Sequence, residues 1–206
     1  MSEAKRAASL YTVLRILPEE SCRNISATLR SLAIRRWNDL REALTTAPDA
    51  RTWLSCAIVY GVFLVVAAPI GLASGLLRVD TAQASAVDAL RVAALLFLQP
   101  ALIEEIVFRG LLLPLDVRSL PRSRVVVVAG SALAVYVASH PLNAWLFRPH
   151  ALGVFASPVY LVLAALLGLA CTIAYFISRS IWPPVVIHWV TVVAWIGLLG
   201  GRALLR

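Results

Sequence analysis

From residue 53 onward apolar residues come in five blocks, at about 53–77, 89–114, 125–147, 158–178 and 183–204. Each is long enough to cross a hydrocarbon core of about 30 Å as an α-helix. Pro69, Pro100 and Pro141 fall inside blocks, where kinks are tolerated if neighbouring helices or polar groups satisfy the freed carbonyls. The first 51 residues follow another rule. Ile25, Leu29, Leu32, Trp37, Leu40 and Leu44 recur at gaps of three to five, which keeps one helical face apolar. Arg23, Arg30, Arg35, Arg36 and Arg41 lie mostly elsewhere around that helix. Such a helix either lies flat on an anionic leaflet or packs on the protein's own cytosolic face. Thr45 to Pro48 reads as the break before the membrane. The pattern therefore predicts an all-α polytopic membrane protein with about five transmembrane helices. Residues 1–51 form a cytosolic or interfacial amphipathic segment, and residues 52–206 form the bundle. No internal repeat is visible, which weighs against inverted-repeat transporters.

Composition agrees. Of 206 residues, 60% are hydrophobic and 15% charged, against about 45–50% and about 25% in soluble domains. The net charge of +8 comes almost wholly from arginine, with Lys5 the single lysine. A basic chain invites a nucleic-acid reading. Here, however, the arginines sit at the ends of apolar blocks, where anionic headgroups and orientation signals act, so membrane lipid is the expected partner and nucleic acid is not. Counted outside the spans, thirteen Lys/Arg lie on the side of the N-terminus and four (Arg78, Arg148, Arg202, Arg206) on the other. That bias predicts a cytosolic N-terminus. The first 50 residues lack the apolar core of a cleavable signal peptide. Cys22, Cys56 and Cys171 are too scattered for a disulfide framework or a metal motif. The preference for Arg over Lys, with abundant Ala, suggests a GC-rich genome and a bacterial inner membrane.

Hydrocarbon penalises ionisable groups by about 2.5–3.5 kcal/mol each, so those inside the blocks need a reason. The second block holds Glu104, Glu105 and Arg109, the third His140 and the fifth His188. Glu105 and Arg109 are four apart with the acid first, the favourable order for a helical pair, and they can neutralise each other structurally. Glu104 is rotated by about 100° from Glu105 and has no cation in its own helix. A carboxylate without a cation in a low-dielectric site is suited to take up and hand on a proton near neutral pH. The two imidazoles are natural partners for it, although a lone intramembrane histidine is commonly just a helix–helix hydrogen bond. His150, in a loop beside Pro149, reads as solvated.

Glu104-Glu105-x-x-x-Arg109 resembles the EExxxR motif of the CPBP family of intramembrane proteases, which includes CAAX proteases of the type II prenyl endopeptidase kind and bacteriocin-processing or self-immunity proteins. Tyr136-x-x-x-His140 is similar to its FxxxH motif, with Tyr for Phe. The stretch Ala174 to Trp195 around His188 resembles its HxxxN motif. The order and separations fit over about residues 85–200. The resemblance implies a proteolytic site within a helical bundle, open to the cytosolic side. It implies Glu104 as general base activating water with help from His140, and His188 as a stabiliser of the oxyanion. Glu105 and Arg109 would hold the helix and orient Glu104.

One position departs from that pattern. Four residues after His188 the family carries Asn, a second oxyanion donor, and this chain has Val192. Losing such a donor commonly costs about 10²–10³ in rate. Either Thr191 or Asn143 substitutes for it, or activity is weaker and specialised, or catalysis is lost. Glu104, His140 and His188 could also form a three-ligand zinc set with an open water position. The H-E-x-x-H spacing is absent, and a mechanism without a metal or other cofactor is favoured. Depth sets a further condition. With straight spans, Glu104, His140 and His188 lie about 15, 22 and 8 Å from the cytosolic ends of their helices, so tilt or kinks at Pro100 and Pro141 must bring them together. Three functions fit these residues: an endopeptidase acting on a membrane-associated peptide or protein, a non-catalytic binding or immunity scaffold derived from one, and a proton-coupled transporter.

Overall fold

A computed structural model describes residues 19–79 and 85–205. Among them there is no strand. The helices are α1 (Glu19–Thr45), α2 (Ala50–Ala73), the helical segment α3 (Ala86–Leu111), α4 (Arg122–Phe147), α5 (Pro158–Ser178), α6 (Trp182–Leu198) and the short α7 (Gly201–Leu204), with two short turns at Pro149–Ala151 and Leu152–Phe155. α2, α3, α4 and α5 are long and apolar enough to cross a membrane, and α6 is a shorter apolar helix. The protein is a helical multi-pass membrane protein.

The helix starts follow local chemistry. The carboxylate of Asp49 accepts the Thr52 N–H at 2.8 Å and caps α2. The interaction holds the Asp49 carboxyl below its usual range. Ser157 caps α5 with Pro158 behind it, and Pro183 and Pro184 occupy the first turn of α6, where a missing N–H costs nothing. The expected single span over 183–204 is interrupted. α6 ends at Leu198, and Gly200 turns the chain with φ +78°, a conformation open to glycine without penalty. A Cβ there would lie 3.1 Å from the Arg78 carbonyl oxygen. The backbone of the segment after α2 docks at this turn through the Arg78 N–H, which donates to the Leu199 carbonyl at 3.1 Å.

α5 is the central helix, packed by α2, α4 and α6. Small residues along it (Ala164, Gly168, Ala170, Cys171, Ala174) are buried and let the neighbours approach closely. The outward faces of the other helices carry exposed Val62, Val65, Val126 and Val127, as lipid contact requires.

The described residues divide into two units between Asn38 and Asp39. In the first, Leu29, Leu32 and Trp37 are exposed. The side chains of Arg23 and Ile25 lie outside the described residues. In the second, the last turns of α1 belong to the core. Leu40 and Ala43 are buried, and Ala43 joins the cluster of Leu113, Tyr175, Ile181 and Val185. The break after Thr45 falls where the sequence places it.

α3 does not run straight. Gln99 has φ −142° and ψ 117°, an extended residue between helical neighbours. The residue before a proline is biased away from the helical region, and the proline itself cannot donate to the preceding turn. Wide π-type turns at Phe97–Leu102 and Ile106–Leu111 flank the α-turn Ile103–Glu105 that carries both carboxylates. Above the break α3 packs on α6, where the Trp189 Nε1–H donates to the Ala93 carbonyl at 2.8 Å and Phe97 meets the Trp189 ring edge-on. Below it, Phe108 packs edge-on against Tyr136 of α4. α4 is continuous through Pro141, so the break in these helices lies at Gln99 and not at Pro141.

Candidate active site

Glu105 and Arg109 form the buried pair that their spacing predicts. Arg109 Nη1 donates to Glu105 Oε1 at 3.0 Å, and neither side chain is more than 2% exposed. Arg109 is fixed twice more: its Nη2 donates to the Gly168 carbonyl at 2.7 Å, and its guanidinium carbon lies 4.7 Å above the Tyr136 ring. Gly168 permits this arrangement, because a Cβ there would come within 2.9 Å of the Tyr136 ring and 2.7 Å of Leu133.

Glu105 also engages His188, a contact the sequence spacing does not show. His188 Nδ1 donates to Glu105 Oε1 at 2.8 Å. The other ring nitrogen, Nε2, faces Glu104 Oε2 at 3.9 Å. The two adjacent carboxylates thus address opposite edges of one imidazole. The rotation between Glu104 and Glu105 separates their surroundings without separating their partner. Glu104 Oε2 is buried and makes no hydrogen bond among the described residues.

His140 stands one step further along. Its Nδ1 bonds the Tyr136 carbonyl at 2.9 Å. A carbonyl only accepts, so Nδ1 carries the hydrogen and Nε2 is the free nitrogen. Tyr136 bridges the two histidines, with its ring 4.8 Å from that of His140 and 6.3 Å from that of His188. His140 makes no hydrogen bond to Glu104.

Glu104, His140 and His188 all line one cavity of about 370 Å³. Its walls are mainly apolar, with Phe63, Leu163 and Leu167 among them. The residues weighed as substitute donors line it too. Thr191 has its hydroxyl hydrogen engaged by the Ile187 carbonyl at 2.7 Å. Asn143 is exposed, and Val192 presents only methyls. Tyr160 also lines the cavity, and the sequence reading does not single it out. Its ring packs 5.5 Å from His140, 4.9 Å from Phe155 and 5.6 Å from Trp195. Its hydroxyl makes no hydrogen bond among the described residues. The available signal was a tyrosine two residues into an apolar span, opened by Ser157-Pro158, whose hydroxyl would need a partner if buried.

Among the described residues no three His, Cys, Asp or Glu side chains are grouped to hold a metal.

The stretch 86–194, more than half of the chain, matches the model of a family described as type II CAAX prenyl endopeptidase Rce1-like. The chain belongs to that family. The match spans all three polar segments, so at the level of the family this is an intramembrane protease. No curated protein and no solved structure matches the chain.

Proposed function

We propose that this protein is an endopeptidase that hydrolyses a peptide bond in a membrane-associated substrate, with Glu104 as the base and no metal. One observation carries the reading: Glu104 Oε2, buried and without a hydrogen-bond partner, faces His188 Nε2 at 3.9 Å in a cavity that also holds His140. A buried carboxylate oxygen left unpaired is costly for a fold alone, and it supplies the acceptor that a water nucleophile needs.

In this reading a water bound between Glu104 and the free Nε2 of His140 gives its proton to Glu104 as its oxygen attacks the substrate carbonyl carbon. The carbonyl π electrons move to oxygen. The resulting oxyanion is met by hydrogen-bond donors: protonated His188 Nε2 and, in place of the absent amide at Val192, the Tyr160 hydroxyl. When the tetrahedral carbon collapses, the C–N bond breaks and Glu104 returns the proton to the leaving amine. Charge balances through the cycle. Glu105 and Arg109 cancel; the Glu104 carboxylate and the His188 imidazolium cancel at the start, and in the tetrahedral intermediate Glu104 holds the water's proton while the oxyanion balances His188. Glu105 and Arg109 touch no substrate in this scheme and act as positioning residues.

We place the protein in a bacterial inner membrane with the N-terminus in the cytosol, on the arginine count, and with membrane lipid around the bundle.

Glu104→Gln keeps the shape and removes the base. The expected result is a loss of peptide cleavage by about 10²–10⁴-fold with insertion and thermal stability retained. Unchanged cleavage overturns the assignment. The second reading, a binding or immunity scaffold without catalysis, rests on Val192 lining the cavity where the family pattern has a donor, and it predicts full biological function in Glu104→Gln.

A further inference from the structure

The family resemblance implies a site open to the cytosolic side, yet the cavity leads the other way. Its lower end, near the end of the bundle where α2 begins and α3 finishes, is closed. Glu105, Arg109 and His188 are almost fully buried there, over the packed core of Leu113, Tyr175, Ile181 and Val185. Its remaining walls run toward the opposite end, where α2 and α4 finish. Leu76 and Leu77 after α2 line it, as do Phe147 and Arg148 at the close of α4, and Leu205. Asn143, Phe147 and Arg148 are exposed, so these residues mark the mouth. The divergence of two helices opens it. α3 meets α4 through Ile106–Leu111, while its first part, Ala86–Leu96, leans on α6, and Leu96 and Gln99 of α3 line the cavity together with Asn143 and Phe147 of α4.

The mouth therefore lies at the membrane face opposite the one where Arg41, Arg51, Arg118, Arg122, Arg124 and Arg179 cluster, with Arg78, Arg148 and Arg202 on its own side. By the positive-inside bias that face is the outer one. Arg148 stands at the mouth as an exposed cation with no ion-pair partner among the described residues.

We propose that the site is loaded from the outer face of the membrane, and that its occupant is an extended, mainly apolar peptide segment bearing a carboxylate on its outer side. This rests on the endopeptidase reading for what happens to the occupant but not for the side of access. Apolar walls take the side chains, Arg148 attracts the acid, and the gap between α3 and α4 admits a segment still anchored in the bilayer. From His140 to Arg148 the helix rises about 12 Å, a distance that three or four extended residues cover at about 3.3 Å each. A chain end held at the inner face would have to pass the Glu105–Arg109–His188 floor.

The test uses the full chain with Cys22→Ser, in sealed right-side-out bacterial membrane vesicles. Cys56 and Cys171 are buried. A reporter cysteine is placed at the cavity wall, Asn143→Cys, with Phe147→Cys as a second position at the mouth. A third, Ser119→Cys, sits in the exposed loop between α3 and α4. A membrane-impermeant charged methanethiosulfonate added outside should modify the first two and leave Ser119→Cys unreacted until the vesicles are opened. Labelling of Ser119→Cys from outside, or protection of both other cysteines, overturns the proposal. Labelling needs no catalysis, so its outcome is separate from that of Glu104→Gln.

A second arm uses single-span reporters with an apolar–acidic segment at the outer or the inner end. Release of the outer one, slowed about tenfold or more by Arg148→Glu through like-charge repulsion, supports the occupant. Release of the inner one overturns it. If labelling comes out as expected and neither reporter is cut, the endopeptidase reading fails while the side of access stands.

Discussion

Glu105 accepts the His188 Nδ1 hydrogen at 2.8 Å on the same oxygen that receives Arg109 at 3.0 Å. One carboxylate oxygen thereby fixes the ring of a residue from α6 and neutralises a cation from its own helix. In Glu105→Gln the amide oxygen can still accept from His188, but Arg109 keeps its charge with no anion beside it. Breaking a buried pair from one side costs about 3–5 kcal/mol, so the thermal midpoint in detergent should fall sharply. If the variant is held folded by lipid, kcat should drop by about 10²-fold through misplacement of the His188 ring, with KM little changed. A fall in stability with kcat intact would make Glu105 a structural residue only.

Gly168→Ala tests the close approach behind the site. The added methyl meets the Tyr136 ring at 2.8–2.9 Å and Leu133 Cδ1 at 2.7 Å. Leu133 can swing aside. Tyr136 cannot easily do so, because Phe108 packs on one side and the Arg109 guanidinium on another. Overpacking of this kind costs about 1–3 kcal/mol. Because the Tyr136 carbonyl also holds His140, cleavage should weaken along with the melting temperature. A melting curve identical to that of the parent would show that α5 can yield at this point.

Span-length apolar blocks and intramembrane charges made the helical membrane fold and the polar segments on three helices legible from the sequence. The helix limits drifted by a turn, because lipid-facing and core-facing apolar residues look alike in one dimension. The break after Leu198 was hidden because Gly200 resembles any other small residue of a span until its φ is known. The depth conflict among Glu104, His140 and His188 was a real property of straight helices. It is relieved in part at Gln99, and in part because His140 sits further along an elongated cavity with Tyr136 between it and His188. The contact of Glu105 with His188 was invisible because it depends on which face of α6 turns toward α3. The direction of the cavity was equally hidden, since it follows from the divergence of α3 from α4.

Tyr160→Phe separates the ring of this residue from its hydroxyl. The ring packing on His140, Phe155 and Trp195 survives the change, so stability should move little. If the hydroxyl meets the developing oxyanion, kcat falls by about 10²–10³-fold, the usual cost of one such donor, while KM stays near the parent value. An unchanged kcat assigns Tyr160 to packing alone.

Val192→Asn completes that argument from the opposite direction. Val192 is half-buried, lies one turn after His188 and lines the cavity, so an amide there points its N–H groups into the space where the oxyanion forms. In a Tyr160→Phe background the substitution should recover at least about tenfold in kcat, because a new donor replaces the lost one. Val192→Leu, which fills similar space without a donor, should recover nothing. The comparison is made on initial rates with one tethered substrate in the same lipid. Equal behaviour of the Asn and Leu variants would mean that no donor is missing at this position, and it would move the weight of the Val192 departure to the scaffold reading.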